Sequence, residues 1–186
     1  AGEGGNTVVT IGGYHGPECK PFILVDMING AWGGRSDKDG IEGITNPSQN
    51  MSNLPIETIE ARYPVMMEEY ALREDSGGAG QFRGGLGLVR QYRLLADTAI
   101  LQLRADRHEH PPYGLFGGKA AASSRNQLKQ DGKWRVLPVC ACLAQRAPIA
   151  AGSSSKSRVR TMSSTTPRPI ITNRSSLAPV AKASIS

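Results

Sequence analysis

Apolar positions along the chain fall into short alternating runs separated by glycine, proline and charge. Residues 7–14 (TVVTIGGY) are β-branched and predict a strand. Residues 21–28 (PFILVDMI) predict a second, dense enough in apolar side chains to be buried on both faces. Between them, His15-Gly16-Pro17-Glu18 has turn chemistry. Residues 65–73 alternate, with Met66, Tyr70 and Leu72 on one side, Glu69 and Arg73 on the other, and Glu68 breaking the apolar row. Residues 86–95 (LGLVRQYRLL) put Leu88, Tyr92 and Leu94 on one face, with Arg90 among them. Residues 98–107 (TAILQLRADR) alternate again, and only Ala96-Asp97 separates these two runs. That spacing suggests an antiparallel pair, although Ala-Asp is not a preferred hairpin turn. An Asp131-Gly132 turn precedes a short strand over 134–137.

One helix is expected. Asn53-Leu54-Pro55-Ile56-Glu57 combines an Asn cap, a proline in the first turn and an early acid. It should run to about Arg62 and stop before Pro64, because the residue preceding a proline avoids helical backbone. Three glycine-rich loops interrupt the strands. Residues 29–43 hold five glycines and Trp32; residues 75–87 hold six glycines around Phe82-Arg83; residues 111–119 are rich in proline and glycine. Long glycine loops inside a compact body are more often functional than decorative. The fold class that follows is β-rich α+β: mostly antiparallel strands, one short helix, long Gly-rich loops and an irregular carboxy-terminal tail.

The tail is set apart by composition. Residues 139–186 are mainly Ala, Ser, Thr, Pro and Arg, with no acid and no aromatic residue. Such a segment buries too little apolar surface to offset the entropy of ordering, so disorder is expected there. The abruptness of the change also suggests a shift of reading frame. The expected organisation is therefore one folded segment over 1–138 and a tail over 139–186. The net charge of +6 shrinks to −1 in the first 138 residues, which carry 15 basic against 16 acidic groups. The basic character belongs to the tail and does not argue for nucleic-acid binding by the body. No run of 18 apolar residues and no charged-then-apolar leader is present, so neither a membrane span nor a signal peptide is supported. Cys19, Cys140 and Cys142 lack zinc-knuckle spacing and are expected to be reduced thiols in a cytoplasmic protein. The chain starts at Ala1 within glycine-rich sequence and reads as an internal piece of something longer.

The loops carry the candidate chemistry. The loop over 75–87 fails the G-x-G-x-x-G pattern at both registers and has no Gly-Lys-Ser/Thr, so it is no nucleotide fingerprint. Arg83 between glycines can present its fork to a carboxylate or phosphate, helped by the N–H groups of Gly84 and Gly85. The plainer alternative is an Asp75–Arg83 salt bridge that pins a tight loop. His108-Glu109-His110 would put two imidazoles on one face of a strand, but the run leads into Pro111-Pro112 and no third ligand is near. Metal ligands are accordingly taken as none. No nucleophile–base set assembles, and Ser76 lacks the leading glycine of Gly-x-Ser-x-Gly. Asp37, Asp39 and Glu42, beside Arg35 and Lys38, suggest a solvated loop tip.

Several of these segments in succession resemble the carboxy-terminal part of the hydantoinase B/oxoprolinase family. They are Asn53-Leu54-Pro55-Ile56-Glu57 through Pro64, Glu69-Tyr70-Ala71-Leu72-Arg73 with Asp75-Ser76-Gly77-Gly78-Ala79-Gly80, and Phe82-Arg83-Gly84-Gly85-Leu86-Gly87. Asp106-Arg107-His108 with Pro111-Pro112-Tyr113-Gly114-Leu115-Phe116-Gly117-Gly118 is similar to the family's second block, and the Gly33-Gly34-Arg35 loop also fits. The resemblance implies a B-type component of an ATP-dependent enzyme that opens a cyclic amide such as a hydantoin or 5-oxoproline. Its partners would be a hydantoinase A-type ATPase and the amino-terminal half of the B-type polypeptide, whose His/Asp-rich motifs this sequence lacks. ATP and a divalent metal are expected in the full complex, with no cofactor bound by this segment and the isolated chain inactive. The substrate-side candidates are Arg83, Gly84, Gly85, Asp75, Trp32, Arg35, Arg107 and His108. The alternatives are a non-catalytic assembly module and a component of a ketone carboxylase.

Overall fold

A computed structural model describes residues 2, 7–45, 51–130, 132–138, 140–146 and 158–162. Among these, nine strands and one helix follow in chain order: β1 (Thr7–His15), β2 (Lys20–Ile28), α1 (Ile56–Arg62), β3 (Val65–Leu72), β4 (Leu88–Leu94), β5 (Thr98–Arg104), β6 (Arg125–Gln130), β7 (Lys133–Leu137), β8 (Cys140–Arg146) and β9 (Arg158–Met162). They form two antiparallel sheets, one ordered β2-β1-β5-β8 and one ordered β3-β4-β9-β6-β7. The fold is β-rich with a single short helix among the described residues, as the hydrophobic pattern predicts.

The two sheets bury their inner faces against each other. In the first sheet one row runs Leu24, Ile11, Leu101, Leu143 across four strands, and three of these are almost wholly buried. The second sheet contributes Val65, Met67, Leu88, Tyr92, Leu94, Leu128, Leu137 and Val159 to the same cluster. Each such side chain taken out of water stabilises the fold by about 1.5–3 kcal/mol, before the entropy of ordering is subtracted.

Four expectations are corrected by this arrangement. First, β2 is not buried on both faces: Leu24, Asp26 and Ile28 point inward, while Ile23 and Val25 are exposed. It is an edge strand whose outer face no other described element covers. Second, β4 and β5 do not pair. β4 lies between β3 and β9, and β5 between β1 and β8. Ala96, buried, and Leu95, whose N–H donates to Pro64 O at 2.8 Å, carry the chain from one sheet to the other. Third, β3 carries a bulge between Met67 and Glu69 that reverses the alternation. Val65 and Met67 point inward before it and Tyr70 packs on the core after it, leaving Met66 and Leu72 exposed. Fourth, two segments of the tail, β8 and β9, are strands placed in both sheets, so the sheets draw on residues either side of Pro138. Residues 163–186, where disorder is expected, lie outside the described residues.

The helix forms where expected, but Asn53 does not cap it. Pro55 occupies the N-cap position with no side-chain cap bond. The Asn53 amide is committed elsewhere, as described below. No described helix is long and apolar enough to cross a membrane.

Candidate functional site

The three glycine loops are stitched to one another by main-chain bonds. Within residues 29–43, Trp32 N–H donates to Ile41 O at 2.9 Å and Arg35 N–H to Lys38 O at 2.9 Å. This loop joins the next through Gly40 N–H to Arg83 O and Gly85 N–H to Trp32 O, both 2.8 Å. Only glycine allows so close an approach: a Cβ on Gly40 would sit 2.2 Å from Trp32 O and 2.3 Å from Gly85 N. The third loop docks through Lys119 N–H to Ala79 O at 2.7 Å. Ser76 is buried, and its Oγ accepts the Gly87 N–H at 2.7 Å, closing the neck of the loop over 75–87. That bond gives Ser76 a structural part.

Arg83 is held within this assembly. Its Nη1 lies 2.7 Å from Glu42 Oε1 and its Nε 3.7 Å from Asp39 Oδ2, while its backbone N–H donates to Asp39 Oδ1 at 2.9 Å. The carboxylates that meet Arg83 are thus Asp39 and Glu42, not Asp75, and the charged tip of the loop over 29–43 acts as its clamp. Burial alone would raise the Glu42 carboxyl, but the guanidinium of Arg83 together with the backbone N–H groups of Glu42 and Leu86 outweighs it and holds Glu42 below its ordinary value. Trp32 is tied down by its indole N–H, which donates to Thr45 O at 2.7 Å.

Beside this clamp lies a cleft of about 520 Å³ where all three loops meet. Gly34, Arg35 and Ser36 line it from the first loop, residues 78–82 and Gly84 from the second, and residues 113–119 with Ala121 from the third. Tyr113, Leu115 and Phe116 are exposed along it, Phe116 completely. Among the described residues, the charged side chains lining it are Arg35 and Lys119, with no carboxylate. Arg35 Nη2 donates to Asp39 O at 3.1 Å, and its buried Nε has no hydrogen-bond partner among the described residues. The arrangement suits a small molecule with an apolar face and a carbonyl or anionic oxygen.

Of the residues singled out from sequence, Arg35 and Gly84 line the cleft. Arg83, Gly85 and Trp32 build the clamp next to it. Asp75 opens the second loop with a left-handed backbone (φ 55°). Arg107 (φ 61°) accepts the Ser124 N–H through its carbonyl at 2.8 Å, and neither it nor His108 is among the cleft-lining residues. His108-Glu109-His110 lies in a bend beyond β5, so the strand geometry that would align two imidazoles is absent. Burial lowers the His108 pKa, against the opposing pull of Asp106 and Glu109. Among the described residues no three His, Cys, Asp or Glu side chains gather to hold a metal ion. The divalent ion implied for the full complex has no ligand set among them.

Two residues were passed over. Asp26 and Arg90 are fully buried and form an ion pair between the two sheets. Tyr92 Oη donates to Asp26 Oδ2 at 2.6 Å, and Arg90 Nη2 donates to Asn53 Oδ1 at 2.8 Å and to Tyr70 Oη at 3.1 Å. The Arg90 guanidinium also stacks over the Tyr70 ring at 4.3 Å. Asn53 passes the connection on. Its Oδ1 accepts the Asn29 N–H at 3.0 Å, and its Nδ2 donates to Asn29 O at 3.3 Å and Gly43 O at 3.1 Å. Both ends of the first glycine loop therefore hang from one buried network. Burial, reinforced by Asp26, pushes the Tyr92 hydroxyl pKa well up. Burial works against the Arg90 charge, but Tyr92 and Asp26 outweigh it and raise its pKa. The signal was present in sequence: one acid and one arginine, each set in an inward-facing apolar row, call for each other.

Residues 1–164 match the family described as Hydantoinase B/oxoprolinase. The chain belongs to the hydantoinase B/oxoprolinase family. It is 42% identical over 133 residues to an uncharacterized protein of Methanocaldococcus jannaschii, covering 72% of this chain and 22% of that protein. A Pseudomonas sp. protein described as the B subunit of a D-/L-hydantoinase is 34% identical over 119 residues, covering 64% of this chain and 20% of its own length. A 5-oxoprolinase of Dictyostelium discoideum is 33% identical over 110 residues, covering 59% of this chain and 9% of that enzyme. This hydantoinase B segment thus spans about a fifth of the first two relatives. Its fold matches an ATP-dependent caprolactamase from Pseudomonas jessenii (TM-score 0.62, 87% of this chain, 28% of that one). It also matches a nucleotide-free acetone carboxylase (TM-score 0.59, 87% of this chain, 26% of that one). Both are 18% identical to it and speak for the fold alone.

Proposed function

We propose that this segment forms a substrate-side wall in the B-type component of an ATP-dependent enzyme that opens a cyclic amide. A hydantoinase A-type ATPase and the remaining B-type polypeptide are its partners. Phosphorylating an amide oxygen converts a poor electrophile into one that water can attack, and the phosphorylated species is anionic. Arg35 and Lys119 are the groups placed to meet that charge, while Tyr113 and Phe116 cover the ring. Arg83 acts as a positioning residue: held by Asp39 and Glu42, it fixes the loop that carries Gly84 against the loop that carries Arg35. The observation that carries this reading is the cleft itself, lined by two cations and no carboxylate among the described residues, formed where three glycine loops meet in a member of the hydantoinase B family.

The test is steady-state turnover of the assembled A–B complex on hydantoin and 5-oxoproline with ATP. Lys119→Met should lower kcat/KM by about 100-fold if the ammonium stabilises transition-state charge. Lys133→Met, in the β6–β7 hairpin, should leave it unchanged. Equal kcat/KM for Lys119→Met and the parent complex would overturn the proposal.

A further inference from the structure

Alternation fixes which side chains of the four-stranded sheet face away from the core. Val9, Ile11, Leu24, Leu101, Leu103 and Ala141 are buried inward. Every second residue from 8 to 14, from 21 to 27 and from 98 to 104, together with Cys140 and Cys142, therefore faces outward. Although 20% of the chain is charged, these outward positions hold one charge, Arg104, and no carboxylate. Ile23, Tyr14, Ile100 and Val25 stand 62%, 59%, 55% and 47% exposed there. Cys140 and Cys142 are exposed as well, although cysteine is among the residues most often buried. An antiparallel sheet that turns its outer face to water alternates to polar residues on that side, and this one does not. Apolar patches of this kind mark surfaces that another element covers.

Register gives the face its shape. Gly12 lies between Ile23 and Ile100, leaving a slot between two isoleucines about 10 Å apart. A Cβ at Gly12 would meet nothing nearer than 3.6 Å, so the fold of this chain does not demand glycine there. The slot is room for an incoming apolar side chain. Arg104, exposed at the corner of the face, offers a contact to a carboxylate at the rim.

We propose that the remaining B-type polypeptide covers this face, with an apolar surface that fills the slot at Gly12 and sets a carboxylate against Arg104. The four-stranded sheet is then an inner layer. This chain spans 22% and 20% of two of its relatives, so most of a B-type polypeptide is available to form the outer layer. A second copy of the same face would bring Arg104 no carboxylate, because the outward positions hold none. The inference rests on the proposed partnership with that polypeptide, not on the cyclic-amide chemistry.

The native thiols report on the contact. Maleimide labelling, read by peptide mass spectrometry, is compared between the full chain alone and the complete B-type component without the ATPase. Cys140 and Cys142 should label about ten-fold more slowly in the component, because a covered thiol reacts only when the interface opens. Cys19, exposed in the turn between β1 and β2, should label equally in both. Ile100→Glu should speed the labelling of both covered thiols by about ten-fold, because it sets a charge against an apolar layer. The Tm of the chain alone should stay that of the parent, since Ile100 lies outside the core. Labelling of Cys140 and Cys142 as fast in the component as in the chain alone would overturn the assignment. Protection that appears only when the ATPase is added would give the face to the ATPase. Protection in the chain alone that is lost on dilution would give it to a second copy, and either result would overturn the proposal. Turnover is not the readout, so a failure of the cleft reading would leave these rates unmoved.

Discussion

Replacing Arg90 with methionine should be the most damaging single change of a charged side chain among the described residues. Arg90 and Asp26 are each 0% exposed, so both charges are wholly withdrawn from water and depend on each other. Without the guanidinium, Asp26 keeps only the Tyr92 hydroxyl on Oδ2, and its Oδ1 already has no hydrogen-bond partner among the described residues. Breaking one side of a buried pair costs about 3–5 kcal/mol, a large part of the ~5–15 kcal/mol that holds an ordinary domain folded. Removing both charges should cost less than removing one. Asp26→Leu with Arg90→Met leaves the Tyr92 hydroxyl without its acceptor, a loss of about 1–3 kcal/mol, but no buried charge. Urea denaturation followed by the fluorescence of Trp32 and Trp134 measures all three variants. A cost below about 1 kcal/mol for Arg90→Met, or a double variant less stable than either single one, would refute the claim that this pair joins the sheets.

Gly40→Ala should cost about 1–3 kcal/mol, because its Cβ would fall 2.2 Å from Trp32 O and 2.3 Å from Gly85 N, and backbone atoms on both sides cannot step aside. Thermal denaturation measures the loss, and hydrogen exchange should show the Gly85 N–H losing its protection. His108 gives a pH signature. Its folded pKa is lowered, so below about pH 6.5 the unfolded chain binds more protons and stability falls with acidification. His108→Gln should flatten that part of the stability–pH curve; an unchanged slope would show that another group causes it. At the alkaline end the sign reverses. The raised Tyr92 pKa contributes stability that is complete below about pH 10 and is lost as the pH rises further, and Tyr92→Phe should remove this dependence.

Strands β1 to β5 and β7, the helix and the turn at Gly132 were legible because alternation and turn residues act locally, whereas β6 and β8 carry no such pattern. Sheet membership was not. Thr98–Arg104 follows Leu88–Leu94 so closely that a hairpin was the natural expectation, yet the chain crosses between sheets at Ala96, and nothing local distinguishes a corner from a turn. The strand Arg158–Met162 was hidden by the poor composition around it. It completes the second sheet by sitting between β4 and β6, a long-range pairing that no window of sequence reports. For the site, glycine density marked the correct loops. The partner of Arg83 came from 41 and 44 positions upstream, at Glu42 and Asp39, whereas the nearby Asp75 had looked sufficient. Nothing local marks Lys119, which closes a Pro/Gly loop and becomes a cleft-lining cation only once the three loops meet. Asn53 has the chemistry of a helix cap, and only tertiary structure shows its amide spent on Asn29, Gly43 and Arg90.

The central claim is that the three glycine loops together enclose substrate. Hydrogen exchange on the assembled A–B complex, with and without a cyclic amide and ATP, tests it most directly. Peptides covering residues 33–36, 78–84 and 113–119 should all become protected when substrate binds. Protection confined to other parts of the complex, with these three segments exchanging as before, would contradict it.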